Sequence, residues 1–175
     1  MIMQFIVGGA ASVVNIAVHA LFMTVVIFVV QKQKARMVPG VFTVARVMIA
    51  VAIVLMVAHT VEALVWALVY RLVGAVDLTH SLLYFALVNF ATLGYGDITP
   101  VDDWKLLGPI TAMNGILLFG WSTAVLFEVL RETMALIDKM QATGDTGGHA
   151  PQSNVSATSS TGSAPKRDAH GSSPI

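Results

Sequence analysis

The chain has 175 residues, 56% of them hydrophobic and only 11% charged, with 10 basic and 10 acidic side chains and no cysteine. A soluble domain carries about 25% charged residues, so this composition points to an integral membrane protein with no room for a full enzymatic domain. It also excludes disulfides and thiolate metal sites, and with zero net charge and no basic stripe, nucleic acid is not an expected partner.

Residues 2–30 carry no charge. A secretory signal would show a basic leader and an apolar core of roughly 7–15 residues. This run is longer and has no such leader, so it reads as a first transmembrane helix, exceeding the about 20 residues that a span needs. Ser12, Asn15 and His19 follow helical spacing and share one face. They read as a polar seam against neighbouring helices, with proton sensing by His19 as the sharper alternative. Residues 31–40 form a basic loop with Lys32, Lys34 and Arg36, punctuated by Pro39-Gly40, and Arg46 follows. The positive-inside rule places this loop in the cytoplasm.

A second helix is expected over Val41–Val73. Its apolar run is interrupted by Glu62, which lies three residues after His59 and on the same face. A carboxylate at that depth faces protein or water, not lipid. Pairing with His59 or a neighbouring chain is the structural reading; a proton-sensitive brace is the functional one. Trp66 and Tyr70 are expected at the outer interface, as membrane aromatics often are. A turn over 74–79 follows, with Asp77 or Thr79 as cap for the next helix. Residues 82–91 are apolar but too short to span, which suggests a re-entrant helix. Non-helical backbone after it is tolerated where it lines a water-filled path, and the helix's C-terminal carbonyls favour a cation.

The next residues are Thr92-Leu93-Gly94-Tyr95-Gly96-Asp97. Glycine takes backbone conformations that strain other residues, so alternating glycine can aim consecutive carbonyls at one axis. The chain then turns through Asp97-Ile98-Thr99-Pro100. Asp102 and Asp103 follow, with Trp104 and Lys105 at the outer interface. Residues 106–127 are a third, uncharged span, and Glu128, Arg131, Glu132, Asp138 and Lys139 mark a solvated helical extension. From about 141 to 175 small and polar residues dominate, a composition expected to be disordered. The expected divisions are 1–40 (first helix and basic loop), 41–140 (the second and third helices with the short apolar segment and glycine run between them) and 141–175 (tail).

The hexapeptide resembles the potassium-channel signature Thr-Val-Gly-Tyr-Gly-Asp and departs from it only at Leu93. Over residues 61–132 the chain is similar to small prokaryotic potassium channels of the helix–pore loop–helix kind, here with one extra N-terminal helix. The resemblance implies a selectivity filter at Thr92, Leu93, Gly94, Tyr95 and Gly96, with K+ held by the backbone carbonyls of Thr92, Leu93, Gly94 and Tyr95. Asp97 matches the acidic residue just outside the filter, and Tyr84 falls where the family often has a bracing Trp. Asp102 and Asp103 would join Asp97 in drawing cations to the outer mouth. One pore loop per chain implies a homotetramer. The fold class expected is an all-α membrane protein: three transmembrane helices plus a re-entrant pore helix and filter.

The family's hinge glycine aligns to Ile116, so Gly115 or Gly120 is the candidate hinge, with Trp121 narrowing the path below. Close helix packing is the alternative use of these glycines. No arginine repeat marks a voltage sensor, and no nucleotide-binding glycine loop is present. The expected partners are further copies of this chain and membrane lipid; no nucleotide and no cofactor beyond the permeant K+ are expected. Location would be the plasma (inner) membrane, multi-pass, with the N-terminus outside and the tail cytoplasmic. The five histidines are scattered along the sequence and no metal-ligand cluster or nucleophile–base pair is legible, so no enzyme is expected. A non-conducting membrane subunit and a non-selective cation channel are the alternatives to a potassium channel.

Overall fold

The computed structural model describes residues 1–34, 40–77 and 81–146. They form α1 (Ile2–Lys34), α2 (Val41–Val73), α3 (Leu82–Phe90) and α4 (Leu107–Thr146), with a 3-10 turn at Asp102–Trp104. There is no strand among the described residues. Helices α1, α2 and α4 are long and apolar enough to cross a membrane, so this is an all-α, multi-pass membrane protein. At 1.5 Å per residue, α1 and α2 each reach about 50 Å, against about 30 Å of bilayer hydrocarbon.

The helices are placed by where their apolar and polar stripes meet. Gln4 Oε1 of α1 accepts the backbone N–H of Leu106 at the start of α4. Further along, Asn15 meets Asn114, and further still Met23, Val26 and Val30 join Val129 in one apolar cluster. Helices α1 and α4 therefore run parallel. Helix α2 runs the other way: its Val47, Val51 and Leu55 belong to that far cluster. Its Trp66 and Tyr70 pack near α3 with Phe85, Phe90, Leu107 and Leu118. The beginning of α1, the end of α2 and the beginning of α4 thus share one end of the bundle with α3. Helix α2 stops at Gly74, whose φ of 62° is left-handed. The N–H groups of Gly74 and Ala75 fold back onto the carbonyls of Arg71 and Tyr70, which satisfies acceptors that a helix end leaves open.

In its helices and their ends the structure departs from the sequence expectations in four places. Helix α1 runs on through Lys34, so Lys32 and Lys34 are helical and not in a loop over 31–40; Gln and Lys are good helix formers. Arg36 and Pro39 lie outside the described residues. Helix α4 continues through Thr146, past the boundary at 141, and the tail over 147–175 lies outside the described residues. Ser81, not Asp77, caps α3, its side chain accepting the Tyr84 N–H at 3.3 Å; Thr79 lies outside the described residues. Finally, Trp66 and Tyr70 are fully buried, not interfacial. Trp66 Nε1–H donates to Asn114 Oδ1 at 3.0 Å and the Tyr70 hydroxyl meets that of Thr111 at 2.6 Å. A polar tip lets a large aromatic enter the core when a partner waits there.

Candidate functional site

Helix α3 ends in a way that launches the glycine strip. The Leu93 N–H returns to the Val88 carbonyl at 2.9 Å and the Thr92 N–H to that of Asn89 at 3.0 Å. This closure needs a left-handed residue at the first position beyond the helix cap, usually glycine. Here Thr92 fills it, with φ 59°. A β-branched residue in that region is an outlier, and such strain costs about 1–3 kcal/mol and clusters at functional sites. The left-handed conformation recurs at Gly94 (φ 57°) and Gly96 (φ 75°), but not at Leu93 or Tyr95. Backbone that alternates in hand turns consecutive N–H groups to one side and their carbonyls to the other. A Cβ on Gly94 or Gly96 would meet nothing within 4 Å. Glycine is therefore needed there for its φ, not for space. Residues 91–97 are exposed in the single chain.

The Tyr84–Asp97 hydrogen bond expected of a brace is present. The Tyr84 hydroxyl donates to Asp97 Oδ2 at 2.8 Å, which ties α3 to the far end of the strip. That hydrogen bond to a carboxylate raises the Tyr84 pKa above the ordinary phenol value, so the donor stays protonated. Of the other acidic residues, Asp102 is engaged by Lys105 at 2.6 Å in an exposed ion pair. An exposed pair of this kind contributes little to stability, yet it offsets part of the Asp102 charge.

Gly115, the expected hinge, sits at a close contact between helices. A Cβ there would run into the carbonyl oxygen of Phe90, the last residue of α3. Helix α4 and the end of α3 approach backbone to backbone at this point, which is the packing use of glycine. Gly120 has nothing within 4 Å of its Cβ position. The Trp121 ring is half-exposed and rests on His19 of α1, with ring centroids 5.1 Å apart.

Behind the strip lies a buried polar network that the sequence showed only in fragments. Glu62 is fully buried. Its Oε1 meets His19 Nδ1 at 2.7 Å and its Oε2 meets His59 Nδ1 at 2.8 Å. Ser122 Oγ of α4 meets His59 Nε2 at 3.0 Å. One helical turn away, Asn15 Nδ2 donates to Asn114 Oδ1 and to the Glu62 carbonyl. The pairing of His59 with Glu62 and the polar seam of Asn15 and His19 stand as expected, Ser12 being half-buried beside them. The reading that the histidines are scattered and form no metal-ligand cluster is overturned: His19, His59 and Glu62 bring donor atoms within 4.8 Å of one another. Thr111, Asn114 and Ser122 were not singled out in the sequence. Their signal was available, since they recur on one face of an otherwise apolar helix, as Ser12, Asn15 and His19 do on α1.

The network reaches the end of α3 through rings. His59 packs on Phe119 at 4.6 Å and lies 6.1 Å from Phe90, and Phe90 packs on Phe119 at 5.3 Å. A family model described as ion channel matches residues 58–132, which is the segment from α2's His59 region to the charged part of α4. That match supports an ion channel and not an enzyme. It contains both the glycine strip and Gly115 and leaves α1 outside. No curated protein and no solved structure matches the chain.

Proposed function

We propose that the chain is one quarter of a potassium-selective channel, conducting K+ passively through the backbone carbonyls of Thr92, Leu93, Gly94 and Tyr95. The observation that carries this reading is the alternation of left-handed residues at 92, 94 and 96 within Thr-Leu-Gly-Tyr-Gly-Asp. A strip in that conformation offers a row of oxygens that can replace the hydration shell of a bare cation. One strip supplies oxygens from one side only, so four copies around an axis are needed. Two features support assembly. The strip is exposed in the single chain, and Met113, Ile116, Leu117, Gly120 and Phe127 form a free face on α4, suited to line a path or meet a neighbour. The basic residues at 32–46 argue for a cytoplasmic position of the α1–α2 connection. The strip and the start of α1 then face outside in a plasma (inner) membrane.

Purified full-length chain in liposomes tests the proposal. Potassium flux well above sodium flux is the expected result. Equal fluxes would assign the chain to non-selective cation channels, and no flux of either ion to non-conducting subunits.

A further inference from the structure

We propose that His19, His59 and Glu62 form a binding site for a divalent transition-metal ion of the zinc class, which clamps α1 to α2 directly behind the end of α3. The site is independent of which ion the strip conducts. Three observations carry it. The donor atoms, two imidazole nitrogens and a carboxylate oxygen, lie within 4.8 Å of one another. They come from two helices, so an ion would join segments far apart in sequence. The donor atoms also already face one another, with the two carboxylate oxygens of Glu62 meeting Nδ1 of His19 at 2.7 Å and Nδ1 of His59 at 2.8 Å.

The donor set selects the class of ion. Two nitrogens and one carboxylate suit zinc, whereas calcium and magnesium prefer shells of oxygen. Zinc takes three protein ligands of this composition with water in the fourth position, at about 2.0–2.2 Å. The present Nδ1–Oε contacts of 2.7 and 2.8 Å are hydrogen bonds; an ion among these atoms would replace their protons and part them slightly.

The outer contact of His59 fits as well, whereas His19 Nε2 is buried without a partner. A histidine bound through Nδ1 carries its proton on Nε2 and is held by an acceptor there. Ser122 Oγ lies 3.0 Å from His59 Nε2 and plays that part; its hydroxyl can donate to the metal-free ring or accept from the metal-bound one. The side chains of His19 and Glu62 are fully buried, and that of His59 is 14% exposed, so an ion enters past His59.

The test uses the full-length chain, purified on a tag without histidine, stripped with chelator and titrated with Zn2+ or Co2+ in detergent. One ion per chain is expected, with the intense visible absorption of four-coordinate Co2+. His19→Asn and His59→Asn should each weaken binding by at least the ~10–100-fold that loss of an outer partner alone costs such sites. Ser122→Ala should fall within that range. Replacing the remaining histidines, His80, His149 and His170, by Gln should leave binding unchanged. Should the ligand variants fail to fold, X-ray absorption of the Zn2+-loaded unmutated chain reads the ligands directly, and two imidazoles are expected. No ion bound above background, one imidazole or none at the metal, or binding abolished by the His80/His149/His170 replacement would each overturn the site.

Discussion

The strip at 92–97 and the network around Glu62 are neighbours in space and opposites in construction. In the strip the proposed working atoms are backbone oxygens, the residues are contiguous, and the whole is exposed in the single chain. In the network the working atoms are side-chain nitrogens and oxygens from α1, α2 and α4, nearly all buried. A backbone device depends on which φ angles its residues tolerate. A side-chain device depends on partners, and a buried polar group that loses its partner destabilises the fold. Substitutions in the first region should therefore remove function and spare the bundle, and substitutions in the second should do the reverse.

The largest effect is expected at the glycines of the strip. Gly94→Ala or Gly96→Ala forces an L-residue into left-handed backbone at about 1–2 kcal/mol per chain, multiplied by the copies around the axis. No neighbour crowds the new methyl, so helix content and thermal unfolding in detergent should stay close to the parent. Potassium-over-sodium permeability in liposomes should collapse. Unaltered selectivity in both variants would mean that the alternation in φ is not what selects the ion.

Glu62→Ala should show the opposite profile. It leaves His19 and His59 without their shared acceptor, and breaking a buried pair costs about 3–5 kcal/mol. Thermal unfolding in detergent should shift down accordingly, and whatever protein survives should still prefer potassium. Unfolding at the parental temperature would show that packing alone holds α1 to α2, and that the network is incidental to the bundle.

The same contrast explains what could be read in the sequence. The strip is local: its six residues carry their conformational needs in their identities, and the segment 82–91 before it is marked by length alone. The end of α2 was legible for a similar reason, since Gly74 cannot continue a helix without cost. The network was legible only in pieces. His59 and Glu62 are three apart and could be paired, but His19 and Asn15 find Glu62 and Asn114 across 43 and 99 residues. Nothing in local spacing states which helices become neighbours. Trp66 and Tyr70 were misplaced for that reason: an aromatic near a helix end looks interfacial until Asn114 and Thr111 are known to face it. Gly115 had two uses on paper, hinge and close packing, and the Phe90 contact that supports the second comes from a neighbouring helix that local spacing does not reveal.

Gly115 is where the two regions join, so its substitution measures how far they are coupled. The added methyl of Gly115→Ala meets the Phe90 carbonyl oxygen, a backbone atom that no rotamer change can move aside. Overpacking of this kind typically costs about 1–3 kcal/mol. The push falls on the last residue of α3, just before the closure between Leu93 and Val88 that starts the strip. The expected result is a mixed profile: lower thermal stability than the parent, and in the surviving protein a partial loss of potassium selectivity. Gly120→Ala is the matched control, since its Cβ position is open; there the gain in helix propensity of about 0.5–1 kcal/mol is all that changes. A hinge at Gly115 predicts otherwise, with stability kept, selectivity kept and only the fraction of open channels reduced. Single-channel recording beside thermal unfolding separates the two. A normal melting temperature with rarer openings would restore the hinge, and would mean that α3 and α4 part at this contact during gating.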